Sequence, residues 1–256
     1  KTSGVIWMFP SKIPSSSVVK NTVKTAFANK TIPAIFAALT AVFASYILYF
    51  CTAGLLFILG EDAAVIAVVA AVCAFTFVLS PLFLGVVRFF WRFTCDFDEG
   101  PGEVFYYFSS HSRYKRAIKL VLVLLLRGGC VVLVCLLPYI IVTVISNTWI
   151  YQLLGTEIPL WAAGLELLKE FLKFSGIFLS FVFLLKYYLV PAVVVMDDEL
   201  LLLEAVHISV MVSRKSLGSF LSLSASLIGW ILISVLGLPL IYTAPLFFGC
   251  YAVHSR

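Results

Sequence analysis

The sequence is short of charge. Asp, Glu, Lys and Arg make up 12% of its 256 residues while hydrophobic types reach 62%, against about 25% charged and 45–50% apolar in a soluble globular domain. That balance excludes a water-solvated shell around one core and makes lipid the main solvent of the chain. No Asp or Glu lies deep in an apolar run, so ion pairs inside the membrane are not expected. No C-x-x-C and no His-x-x-x-His occurs, so the six cysteines and three histidines point to neither a disulfide framework nor a zinc site. Five of the cysteines sit in apolar runs and read as small packing residues. G-x-S-x-G, a Walker-type loop and G-x-G-x-x-G are all missing, which leaves no activated serine and no nucleotide cradle. No metal, cofactor or catalytic residue is implied, and the net charge of +5 reads as membrane topology and an anionic leaflet rather than nucleic acid. The first residues, KTSGVIWMFPSK, have no apolar core of signal-peptide length before Pro10 and read as a trimmed start.

What is present is organised around Leu185–Ser219. An apolar run carrying Lys186 ends at Met196, the acidic break Asp197-Asp198-Glu199 follows, and a short amphipathic helix ends in Ser213-Arg214-Lys215 before the next apolar run. The chain as a whole predicts an all-α, polytopic bundle of about six transmembrane helices with three short interfacial helices. An amphipathic helix over about 17–31 places Val19, Val23 and Phe27 on one face at i, i+4, i+8, with Lys20 and Lys24 on its flank. Spans follow at about 31–59, 63–90 (kinked at Pro81), 117–146, up to Met196, 217–236 and 239–253. Two short polar turns, Gly60-Glu61-Asp62 and Gly237-Leu238-Pro239, close hairpins; 147–169 is the longest outer segment.

Basic residues set the orientation. Fourteen Lys and Arg fall in 1–31, 88–119, 197–216 and at Arg256, against Lys169 and Lys173 on the other side. The excess places both termini in the cytoplasm of a multi-pass bacterial plasma-membrane protein. One integral-membrane domain, 1–256, is expected. It is divisible into helix-plus-hairpin units at 17–93, 103–196 and 200–254.

The second half carries Tyr187-Tyr188-Leu189-Val190-Pro191, Glu204-Ala205 with Ser209, Ser226-Leu227-Ile228-Gly229-Trp230, and Pro245 with Tyr251-Ala252. In these residues it resembles the bacterial integral-membrane family known as domain of unknown function 975. The first half is similar more loosely, through its Lys-rich first helix and PLFLGVVRFFWRF. The usual Asp-Asn-Pro after the fourth span is replaced by Met196-Asp197-Asp198, and Met-Lys-Gly at the helix end by Ser213-Arg214-Lys215. The resemblance implies architecture and no reaction.

Two cations, Arg127 and Lys186, fall inside spans, each about ten residues, or roughly 15 Å, from the cytoplasmic end. Either they line a cytoplasm-open cavity and hold an anionic group, or Lys186 snorkels and Arg127 bonds carbonyls freed near Gly128-Gly129 or Pro138. Arg113, Lys115 and Arg116, beside His111, form a basic patch suited to headgroups. The acidic break reads as a solvated helix start or a partner for Arg214 and Lys215; Glu103 reads as part of a solvated acidic loop with Asp96, Asp98 and Glu99. The functional expectation is a non-catalytic module that binds anionic lipid or a partner membrane protein through its cytoplasmic face. The alternative is a small permease for an anionic or amphiphilic substrate that uses Arg127 and Lys186. The spans hold few polar side chains, which weighs against a hydrophilic path.

Overall fold

A computed structural model describes residues 15–28, 31–59, 64–95, 100–146, 160–234 and 240–255. The short turns expected at 60–62 and 237–239, the acidic residues 96–99 and the outer segment 147–159 lie outside the described residues. Within them the chain is helical, with no strand. In order the helices are α1 (Ser16–Ala28), α2 (Thr31–Leu59), α3 (Ala64–Ala74), a π-helical turn Phe75–Leu79, and α4 (Ser80–Thr94). A 3-10 helix (Pro101–Phe108) then leads to α5 (His111–Ile145) and α6 (Leu160–Leu184), and a second 3-10 turn Leu185–Tyr187 precedes α7 (Val190–Met196), α8 (Leu202–Ser234) and α9 (Leu240–His254). Four stretches are long and apolar enough to cross a membrane: Thr31–Gly54, Val65–Thr94, His111–Ile145 and Gly164–Met196.

The last two expected spans look different. Nothing separates an interfacial helix at 200–216 from a span at 217–236, because α8 runs unbroken through Ser213-Arg214-Lys215. The hydroxyls of Ser213 and Ser216 donate back to the carbonyls of Val210 and Val212, so the serines join the helix instead of capping its end. Likewise Arg113, Lys115 and Arg116 belong to the first turns of α5 rather than to a separate short helix. α9 has 15 residues, about 22 Å of rise, against a hydrocarbon core of about 30 Å.

The chain folds into two compact units, 1–121 with 189–256, and 122–188. The core of the first gathers Val19, Val23 and Phe27 of α1, the small stripe Ala34, Ala37 and Ala38 of α2, Phe89, Phe90 and Phe93 of α4, and Leu246 and Cys250 of α9. The three α1 residues are those that the i, i+4, i+8 pattern assigned to one face, and all three are buried. Phe27 meets Phe93 with ring centroids 5.6 Å apart, and Phe90 stacks on Phe248 at 5.6 Å.

Pro81 marks the π-turn in the second apolar stretch. Proline has no N–H for the carbonyl four residues earlier, that of Phe77. The hydroxyl of Tyr114, at the start of α5, donates to this carbonyl at 2.9 Å. Nearby, Thr76 and Ser80 bond back to Val72 and Thr76. The break is therefore satisfied by side chains, as proline in an apolar helix requires. Tyr114→Phe removes one donor and orphans that carbonyl. We expect it to cost about 1–3 kcal/mol in a thermal melt of the purified protein; a melt identical to wild type would show that the hydroxyl is dispensable.

In the second unit α5 and α6 run antiparallel. A Cβ on Gly176 would meet the Cys135 carbonyl oxygen at 2.8 Å, and one on Gly128 would meet Leu184 at 3.2 Å. At the far end of α6, Lys169 pairs with Glu166 at 2.6 Å and Lys173 with Glu170 at 3.3 Å.

Candidate functional site

The run Pro81–Trp91 is apolar and aromatic except for Arg88, which its helix carries inward among Phe89, Phe90 and Val87. Only 8% of Arg88 is exposed. A guanidinium so placed needs carboxylates, and the 3-10 helix Pro101–Phe108 and the turn after α7 deliver them. Nε donates to Glu103 and Nη1 to Asp198, each at 3.1 Å. The hydroxyl of Tyr106 donates to the same Asp198 oxygen at 2.7 Å. The Tyr106 ring lies under Arg88 at 3.5 Å and under Arg113 at 4.0 Å. Two guanidinium groups this close to one centroid must take opposite faces, so the ring is held between cations. Burial, and then the bond given to Asp198, push the Tyr106 phenol upward; burial pushes that of Tyr107 far above the ordinary tyrosine range. Both therefore stay neutral at physiological pH, Tyr106 as the donor to Asp198.

Arg116 completes the arrangement. One of its nitrogens, Nη2, donates to the carbonyls of Asp197 and Leu200, at 2.7 and 3.0 Å, while Asp197 accepts from the Glu199 amide at 2.8 Å. It thereby fixes the turn between α7 and α8 that presents Asp198. The acidic break is thus solvated at Asp198 and Glu199, but its ion pair is with Arg88 rather than with Arg214 or Lys215. It is the acidic side of a knot around Arg88.

The sequence-derived residues divide accordingly. Arg113 stacks on Tyr106 and reaches the Ser109 hydroxyl at 3.0 Å, Lys115 stands exposed, and Arg116 is turned inward. Arg127 and Lys186 both belong to the second unit. Lys186 lies in the 3-10 turn that interrupts the fourth apolar stretch, its ammonium 4.3 Å over the Phe183 ring. Arg127, half-buried, makes no hydrogen bond or ion pair among the described residues, so the carbonyls near Gly128 and Pro138 do not take it up. A charged side chain at such depth costs about 2.5–3.5 kcal/mol on insertion scales. Among the described residues no group of His, Cys, Asp and Glu could hold a metal.

The sequence alone counts Arg88 only among the basic residues of 88–119 that set the orientation. The missing signal was its position one turn inside an aromatic run, together with carboxylates on two separate segments, a 3-10 helix and a turn. No protein-family model, curated protein or solved structure matches the chain.

Proposed function

We propose that the protein is a non-catalytic, multi-pass module of a bacterial plasma membrane whose cytoplasmic face binds anionic lipid headgroups. What supports this reading is the inward use of carboxylate. Glu103 and Asp198 are both committed to Arg88, while Lys24, Arg113, Lys115, Lys119, Arg214 and Lys215 stand exposed. None of the six makes an ion pair among the described residues. Only Asp197, Glu199 and Glu204 remain in the described part of that unit to offset them. An anionic leaflet attracts such cations by about 1 kcal/mol each. In this reading both termini lie in the cytoplasm, which brings these residues to one side, and the likeness to domain of unknown function 975 belongs to the same reading.

The test is lipid retention. The protein is purified into discs of phosphatidylcholine containing phosphatidylglycerol, and bound lipid is counted by native mass spectrometry. Replacing Lys115, Lys119, Arg214 and Lys215 by Gln spares the Tyr106 stack. It should weaken phosphatidylglycerol binding on the order of 10²-fold or more at low salt. Unchanged retention rejects the lipid reading. If a membrane protein from the host instead co-purifies with wild type and is lost from the variant, the face is a protein-docking surface. A second reading, a permease for an anionic substrate, draws support from the placement of Arg127 and Lys186.

A further inference from the structure

The two glycine contacts fix the register of the second unit. Gly128 lies against Leu184 and Gly176 against Cys135 and Leu136, so seven residues forward on α5 match eight residues back on α6. Continued by one position, the register sets Arg127 level with residues 184–185. Lys186 is then within about 3 Å of that level along the axes. Both cations also fall on the same side of the pair. At about 100° per residue, Arg127 stands one step before the seam at Gly128. Lys186, eight α-helical and two 3-10 steps past Gly176, stands about 40° short of three full turns. Numbering runs round antiparallel helices in opposite senses, so these two flanks face one way.

Among the described residues of the second unit, the carboxylates lie elsewhere. Glu166 and Glu170 sit at the other end of α6, Glu170 about 22 Å away along the axis, and each is engaged by its own lysine. Arg127 is about 24 Å from the start of a 35-residue apolar helix, well inside the stretch able to cross a membrane. We propose that Arg127 and Lys186 together hold one phosphate oxyanion inside the membrane, with the planar guanidinium taking two oxygens and the ammonium a third. The phosphate belongs to a lipid drawn in from the leaflet or to a free phosphate. The proposal does not rest on the cytoplasmic basic face, and its site lies in the other unit.

Wild type, Arg127→Gln, Lys186→Gln and Arg127→Lys are each placed in two kinds of disc. The first holds phosphatidylcholine with a minor share of phosphatidylglycerol, and native mass spectrometry counts the tightly held lipid. The second holds phosphatidylcholine alone, and inorganic phosphate is titrated by calorimetry. Loss of one charge-assisted contact should weaken binding by about ten- to a hundredfold in either Gln variant, with partial recovery in Arg127→Lys. Loss in the first disc identifies a lipid phosphate, and loss in the second a free phosphate. The variant with Lys115, Lys119, Arg214 and Lys215 replaced by Gln keeps this tightly held anion, which separates the site from the surface. If wild type binds in neither disc, or if both Gln variants bind as wild type does, the proposal is overturned. Should one Gln variant misfold by its thermal melt, the other and Arg127→Lys still decide the matter.

Discussion

Gly85→Ala should destabilise the first unit by about 3 kcal/mol or more, lowering its melting temperature on the order of 10 °C. A Cβ at this position would lie 2.7 Å from the carbonyl carbon of Val104, closer still to its oxygen, and 3.2 Å from its Cα. The obstruction is backbone, which cannot rotate aside as a side-chain tip can. α4 and the 3-10 helix Pro101–Phe108 would have to separate, and that helix carries Glu103 and Tyr106 to Arg88. The loss therefore combines overpacking with strain on the ion pair. Gly54→Ala is the matched control, since nothing lies within 4 Å of a Cβ there and alanine is the better helix former by up to about 1 kcal/mol. Thermal melts of the two variants in one detergent should move in opposite directions or leave Gly54→Ala unmoved. Equal melts for Gly85→Ala and wild type would mean that the close approach of the two backbones is not present in the folded protein.

Arg88→Met should cost about 3 kcal/mol. Removing one partner of a buried pair typically costs 3–5 kcal/mol. The lower end applies because the Asp198 side chain is 42% exposed and that of Glu103 23%, so water relieves part of the loss. Adding Glu103→Gln and Asp198→Asn removes the stranded charges and should restore most of the stability, since a neutral, well-packed replacement of a buried pair is often tolerated. Denaturant or thermal melts of the single and triple variants check this. Similar losses in both would show that the arginine acts through packing alone. The same pair bears on function: in Arg88→Met two freed carboxylates join the basic face, and phosphatidylglycerol retention should fall, then recover in the triple variant.

Much of this fold could be read from local pattern. The stripe Val19, Val23, Phe27 is a three-point periodicity, and the four apolar stretches are runs that length and composition identify. Pro81 was readable as a disturbance because proline lacks a donor wherever it stands. What escaped had long-range causes. Arg88 and Asp198 are 110 residues apart, and no spacing rule joins them; seen singly, one is a cation at a span end and the other part of an acidic turn. The Tyr114 hydroxyl that satisfies Phe77 is 37 residues away and belongs to a segment whose tyrosines and cations suggest only an interface. Ser213-Arg214-Lys215 looked like a helix end because polar residues cluster there, yet no proline interrupts the helix and its serines bond within it. The level shared by Arg127 and Lys186 depends on glycine contacts between α5 and α6 that neither helix displays alone.

The separation of Arg88 from Asp198 also orders events during synthesis. At about 5–20 residues per second, the ribosome needs roughly 5–20 s to add the 110 residues between them. Through that interval the arginine has Glu103 as its early carboxylate partner, and the turn that brings Asp198 does not yet exist. The knot is therefore a late fastening. α2 to α5 emerge while it is still open, and it closes only once the chain has passed α7. A chain truncated before Asp198 would lack that closing step, which makes residue 198 the point in translation at which the first unit gains its second carboxylate.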